Sequence, residues 1–222
     1  RRDQVTQAMR TLVNEIEIDL GQLFRRASRA TGEAGKTPFK DTLTDTAQVR
    51  KILADNGAPL SDLQCVIDTT SGAALRTMAQ LTKANEAGTT ALRAQGTLLE
   101  LHGFTLRESA GVAQNIGAKS DKLSVGDDLD AGQTLIKLAK TEANANDPDA
   151  VKPGSIVILG KHKYVVAKTS ADGIHIHAPG LREDVKKGAK IEAVNEFIAN
   201  FAFSRSAIIL ATRAPALPEE GD

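Results

Sequence analysis

The sequence predicts an α+β fold into which a small β-barrel or sandwich is inserted. Three observations carry that expectation. Apolar residues recur at helical spacing from Val5 to Ala27, and short helices and strands then alternate as far as Glu108. Beyond Asn115 the composition turns to Asp, Lys and Gly around short β runs. Regular patterning of the first kind resumes at Phe197, so residues 1–114 with 197–222 read as one unit and 115–196 as an inserted β domain.

The first element is the longest. Val5, Met9, Leu12, Val13, Ile16, Leu20, Leu23, Phe24 and Ala27 recur in steps of three and four, the signature of one amphipathic helix. About 25 residues at a rise of about 1.5 Å each give roughly 38 Å. Glu15, Glu17, Asp19, Arg25 and Arg26 lie between the stripe positions and face water or a neighbouring subunit. Gly32 and Gly35 are expected to end the helix, and its stripe to bury against the sheet of the same subunit.

A short helix is predicted over Thr44–Ala54, with Thr44 or Asp45 as its cap and Asn56-Gly57 as its left-handed stop before Pro59. Leu63 to Asp68 reads as a buried strand. Thr70 or Ser71 then opens a helix carrying Ala73, Ala74, Leu75, Met78, Ala79 and Leu81. Two strands, Gly96–Leu101 and Phe104–Glu108, meet at His102-Gly103.

In the inserted segment the β runs are Thr134–Ala139, Ser155–Leu159, Tyr164–Lys168, Ile174–Ala178 and Lys190–Val194. Pro153-Gly154, Leu159-Gly160, Ala171-Asp172-Gly173 and Pro179-Gly180 supply the turns, and Thr141–Asp149 reads as a polar surface loop. Strands at this even, short spacing imply a barrel or sandwich. Its core is assigned to Leu135, Ile156, Ile158, Val165, Ile174, Ile176 and Ile191. A domain is inserted at low cost only where its ends lie close together. Strands Phe104–Glu108 and Phe201–Leu210 are therefore expected to be antiparallel neighbours, and a short linker replacing 116–196 to leave a folded host.

Composition narrows the function. Basic and acidic residues number 28 each, so the formal charge is zero and no basic stripe marks a dedicated nucleic-acid binder. Aromatic residues make up only 3%, without Trp, which does not encourage a sugar-binding platform. The lone cysteine, Cys65, excludes an intrachain disulfide framework and sits in an apolar run, where it reads as buried and inert. No apolar run reaches bilayer length, and the charged start lacks the apolar segment of a signal peptide. The abrupt start and finish read as those of a fragment.

The chemistry-bearing residues are few. His175 and His177 share one face of a predicted strand, but only His162 lies near enough to add a ligand, so solvent-facing imidazoles are expected. Asp127, Asp128 and Asp130, near Gly126 and Gly132, lack the alternating ligands and closing Glu of a calcium loop and read as turn acids. Ser71 before Gly72 fits an anion-binding helix start or a plain N-cap. No nucleophile triad, phosphate loop or dinucleotide fingerprint is present. The reading is a non-enzyme with no catalytic, cofactor-binding or metal residues.

Three stretches taken in order carry a resemblance. Asp55-Asn56-Gly57-Ala58-Pro59 is followed by Cys65-Val66-Ile67-Asp68-Thr69-Thr70-Ser71-Gly72 and by Leu81-Thr82-Lys83-Ala84-Asn85-Glu86-Ala87-Gly88. Leu98-Leu99-Glu100-Leu101-His102-Gly103-Phe104 comes next, and the run from Phe203-Ser204-Arg205-Ser206 to Pro215-Ala216-Leu217-Pro218-Glu219-Glu220-Gly221-Asp222 closes the series. The series, covering roughly residues 10–114 and 200–222, resembles the tailed-phage and prophage major capsid proteins with the Hong Kong ninety-seven type shell fold. The resemblance implies that the long helix is a spine crossing a peripheral domain, with an axial domain beside it that bears the insertion. It implies a structural subunit that self-assembles into an icosahedral head around packaged DNA. Its partners would be further copies of itself, with scaffolding and portal proteins, and neither specific nucleic acid nor membrane. Its place would be the virion, assembled in the bacterial host cytoplasm. A bacterial nanocompartment shell of the same fold is the rival reading, and an enzyme with a β accessory domain a more distant one.

Overall fold

The computed structural model describes residues 2–78, 100–115, 123–139 and 151–211. It is a mixed α+β structure in which a four-stranded sheet and a curled sheet hold separate apolar cores. The expected continuation of a helix to Leu81, the strand start at Gly96–Leu99, the loop Thr141–Asp149 and the terminal run from Thr212 lie outside the described residues.

Helix α1 spans Arg2–Gly21 and passes into a 3-10 turn at Gln22–Arg26. It stops well before Gly32, because Gly21 is pressed against another backbone. A Cβ built at Gly21 would lie 2.3 Å from the carbonyl oxygen of Gly111. Strand β1, Arg29–Ala30, follows. Helix α2, Thr44–Asp55, is capped at Leu43 without a side-chain bond, contrary to the caps expected from Thr44 or Asp45. Asp45 instead accepts the Phe39 amide at 3.3 Å. The C-terminal stop is as anticipated: Gly57 has φ 74°, and the amides of Gly57 and Ala58 reach back to the carbonyls of Ala54 and Leu53. That double bond closes a Schellman turn.

Strand β2, Leu63–Ile67, alternates buried and half-buried residues as a one-sided strand should. Helix α3, Thr69–Thr77, leaves it directly, capped by Asp68 and not by Thr70 or Ser71. Strands β3, Glu100–Leu101, and β4, Phe104–Glu108, form the expected hairpin, with His102 at φ 51° and Gly103 at φ 80° in the turn. β2 and β4 are parallel. Leu63, Cys65, Ile67, Leu75, Met78, Phe104 and Leu106 close over one core with Phe39.

Strands β5, Gln114–Asn115, and β12, Phe197–Ile198, pair antiparallel and form a two-stranded stem. Between them run β6 (Leu123–Ser124), β7 (Leu135–Lys137), β8 (Ile156–Leu159), β9 (His162–Ser170), β10 (Gly173–Ile176) and β11 (Lys190–Ala193). Their order is β6-β11-β8-β9-β10-β7, with β1 added along β9. A bridge from Val125 to Leu138 joins the two ends, so the sheet curls shut. Its core is Leu123, Val125, Leu129, Ile136, Val151, Val157, Leu159, Tyr164, Val166, Ile174, Ile176, Leu181 and Ile191.

The last strand, β13, Phe201–Ser204, is shorter than the run to Leu210 that the sequence predicts. A 3-10 turn at Arg205–Ala207 ends it. β4 and β13 share the four-stranded sheet, in the order β13-β2-β4-β3, but β2 runs between them. The expected direct pairing is thus corrected: the adjacent pair is the stem β5–β12. The core positions need a second correction. Leu135, Ile156 and Ile158 are only half-buried, and their neighbours Ile136, Val157 and Leu159 fill the interior. Ile191, Ile174 and Ile176 lie in that core as predicted, whereas Val165 is buried outside it and its neighbours Tyr164 and Val166 fill the interior.

Truncating Ile191, fully buried in the curled sheet, to Ala is expected to lower stability by about 2–5 kcal/mol. Met9→Ala on α1, where the side chain is 57% exposed, should move the same denaturant midpoint far less under dilute conditions. Equal effects of the two changes would contradict this assignment of core and surface.

Candidate interaction surface

Helix α1 projects from the body. Every residue from Arg2 to Glu15 is exposed, and Ile16 and Leu20 are half-buried. Val5, Met9, Leu12 and Val13 are 64%, 57%, 50% and 50% exposed. The stripe that the sequence assigns to the intramolecular core therefore lies open, a correction with a clear cause. At about 3.6 residues per turn, Ile18 falls opposite the stripe, while Glu17 and Gly21 fall to one side of it, in one row with Val13. It is that side that meets Gly111, whose Cβ would stand 3.2–3.3 Å from the backbone of Glu17 and Ile18. Ser109 Oγ fastens the contact by donating to Glu17 Oε2 at 3.1 Å and accepting the Gly111 amide at 3.0 Å.

The anchor is the root of the helix. Phe24 packs with Ala113 and Ala199, and its ring meets Phe197 edge-on with centroids 6.2 Å apart. The helix thus rests on the stem. Beyond that root, α1 has few intrinsic supports. It includes β-branched Val5, Thr6, Thr11, Val13, Ile16 and Ile18, which are poor helix formers. Thr6 and Thr11 donate back to the carbonyls of Arg2 and Gln7. A helix of this length without tertiary cover is marginal in water. An open apolar patch on the order of a few hundred Å² marks an interaction site on a protein surface.

Downstream of the root, the segment 25–32 and the end of α2 grip the curled sheet. Arg29 lies over the Tyr164 ring at 5.2 Å and donates to Gly180 O at 3.2 Å. Burial pulls the pKa of its guanidinium down, and its Nε is buried without a hydrogen bond. The Arg182 amide donates to the Tyr164 hydroxyl at 3.0 Å, while its guanidinium reaches Asn56 Oδ1 at 3.2 Å and Asp55 at 3.7 Å. His177 Nε2 donates to Arg25 O at 2.8 Å, and Lys163 donates to Gly32 O.

A compact polar cluster sits where β2 passes into α3. Asp68 accepts the amides of Thr70 at 2.9 Å and Ser71 at 3.3 Å, and also the Ser71 hydroxyl. Asn200, just past the stem, accepts the Asp68 amide at 2.6 Å and donates to Ser71 Oγ at 3.2 Å. Burial opposes the charge of Asp68, but these hydrogen bonds outweigh it and hold the carboxyl below its ordinary value. Ser71 is fully buried and saturated by these partners, so the sequence alternative of an anion site gives way to an N-cap contact.

The remaining candidates are dispersed. His175 bonds to Ser170 Oγ at 3.1 Å, His177 serves Arg25, and the His162 ring meets Tyr164 at 6.2 Å. The register shift between His175 and Ile176 places its extra residue, Ala167, on β9, so both histidines keep the half-buried face opposite Ile174 and Ile176, but each imidazole has its own partner. Asp128 pairs with Lys186 and the Lys187 amide, and Asp127 with Lys137. Among the described residues no group of three or more His, Cys, Asp or Glu converges on a metal-sized space. No described helix is long and apolar enough to cross a membrane. Cys65 is buried, and burial pushes its thiol up to about 12.

No protein-family model matches this sequence. Nor does any curated protein match it.

Two measurements bear on this geometry. Asp68→Ala should cost about 1 kcal/mol or more through loss of the α3 cap. The folded carboxyl titrates below an unfolded aspartate, so its contribution is complete above the ordinary aspartate value and fades as acid brings the pH through the folded one. The gap between wild type and Asp68→Ala in denaturant melts should accordingly close on acidification. Separately, Cys65 should resist a thiol reagent at neutral pH in the native state and react at once in denaturant.

Proposed function

We propose that this chain is a structural subunit, the major capsid protein of a tailed phage or prophage. On this reading its copies assemble in the bacterial cytoplasm into the icosahedral head that encloses packaged DNA. The observation that carries the reading is the open apolar stripe of α1. The chain packs two cores and yet leaves the apolar side of its longest described helix uncovered, as a subunit finished by its neighbours does. The ordered series that resembles the capsid family supports the same reading. So does the order of the chain, in which a long helix comes ahead of that series, as the resemblance implies for a spine helix.

On this proposal residues 1–114 and 197–222 form the peripheral and axial parts of a shell subunit, and 115–196 are an insertion held on the stem of β5 and β12. Many modest contacts between identical copies then close the shell. The curled sheet would sit on a shell surface, gripped by Arg29 and Arg182. Scaffolding and portal proteins are the expected partners, with no sequence-specific contact to nucleic acid. Electron microscopy of the protein, produced with scaffold and portal, should show closed particles of uniform size. Protein that stays dispersed under those conditions at high concentration would overturn the proposal.

A further inference from the structure

We infer that the open stripe of α1 is completed by α1 of a second copy of this chain, the two helices running antiparallel across a two-fold axis. The inference rests on reading the stripe as a contact between copies, and it specifies which surfaces meet and in what register.

The spacing supplies the register. Val5, Met9, Leu12 and Ile16 follow one another at intervals of four, three and four, the alternation of a and d positions in a heptad. Set antiparallel about the midpoint of that series, Val5 falls opposite Ile16 of the second copy, and Met9 opposite its Leu12. The same heptad frame extended one step each way reaches Arg2 and Asp19. These two positions also fall opposite each other, so an ion pair closes each end of the apolar seam.

Charge selects the direction. The first half of α1 carries Arg2, Asp3 and Arg10, and the second half Glu15, Glu17 and Asp19. Antiparallel helices bring the basic half of one copy to the acidic half of the other, and their macrodipoles oppose favourably. A parallel pair would set Arg2 against Arg2 and Asp19 against Asp19. Space selects the same direction. The body hangs from the Gly21 end of the helix, so antiparallel pairing puts the two bodies at opposite ends of a helix pair about 30 Å long. Parallel pairing would crowd both bodies at one end. The contact is isologous, so each copy uses the same surface. It is also small beside the roughly 1,200 Å² of a stable interface, so the pair should be weak and concentration-dependent.

Sedimentation velocity of the 222-residue chain over a concentration series tests this, with circular dichroism to confirm that each variant keeps its helix and sheet. Wild type should pass from monomer to dimer, and Leu12→Lys should remain monomeric. Arg2→Asp and Asp19→Arg should each weaken the dimer about tenfold or more, because each sets like charges at both ends of the seam. The decisive sample is an equimolar mixture of those two single variants. One copy then offers acid at both ends and the other base, so a heterodimer should form at concentrations too low for either variant alone to dimerise. Arg2→Asp combined with Asp19→Arg in one chain should recover the wild-type association. A wild type that stays monomeric throughout overturns the inference, as does a dimer indifferent to Leu12→Lys or to the charge exchanges. The shell proposal fails separately, by the absence of particles when the protein is produced with scaffold and portal. Particles that form unchanged from the charge variants would remove the helix pair and leave the shell reading standing.

Discussion

The structure depends on holding together two points of the chain that lie some 80 residues apart. Gln114 and Asn115 pair with Phe197 and Ile198, and everything between them is carried on that short ladder. Two hydrogen-bonded residue pairs are a weak stem by themselves. Asn200 strengthens it, because its side-chain amide spans the Asp68 backbone and the Ser71 hydroxyl at the mouth of α3. The return strand β13 then lies along β2, so the end of the insertion is fastened into the host sheet. Phe24 packs on the other side of the same stem, which makes it the seat of α1 as well. One junction thereby sets the curled sheet, the four-stranded sheet and the projecting helix.

Much of this was legible in the sequence, for identifiable reasons. Turn chemistry located the joints: Gly57, His102 and Gly103 adopt the left-handed conformation, and Pro153-Gly154 and Ala171-Asp172-Gly173 punctuate the strands. Register was not legible where a run is apolar at every position. In Ile156-Val157-Ile158-Leu159 the pattern does not say which alternate set faces inward, and a one-residue slip exchanges the faces. Neighbouring strands decide it by pairing Val157 with Tyr164 and Leu159 with His162. Strands of two residues, such as β1, β5, β6 and β12, carry too little pattern to be read at all. They exist because a partner strand is already in place.

The helix shows a different limit. Its periodicity correctly gave a helix and an apolar stripe, but periodicity says only that a stripe needs cover. It does not say from where. The answer came from two glycines, Gly21 and Gly111, whose missing side chains let the backbones meet beside the stripe and not over it. Among the candidate site residues the same distinction holds. Residue type suggested what the histidines and aspartates were able to do, whereas position assigned each one a private partner before a shared site could form.

Why would a chain that seals two cores leave α1 unsealed? Burying the stripe intramolecularly would require the helix to roll about its root, which would separate the close backbones of Gly21 and Gly111. The open face is therefore a consequence of how the helix is seated, and a side-chain adjustment would not remove it. On the proposed helix pairing, a free chain carries the cost as a marginal helix exposed to water, and association relieves it. Coupling of this kind keeps the contact weak while subunits are dilute and lets it firm as they accumulate. An assembly that must correct its own errors needs contacts of that strength.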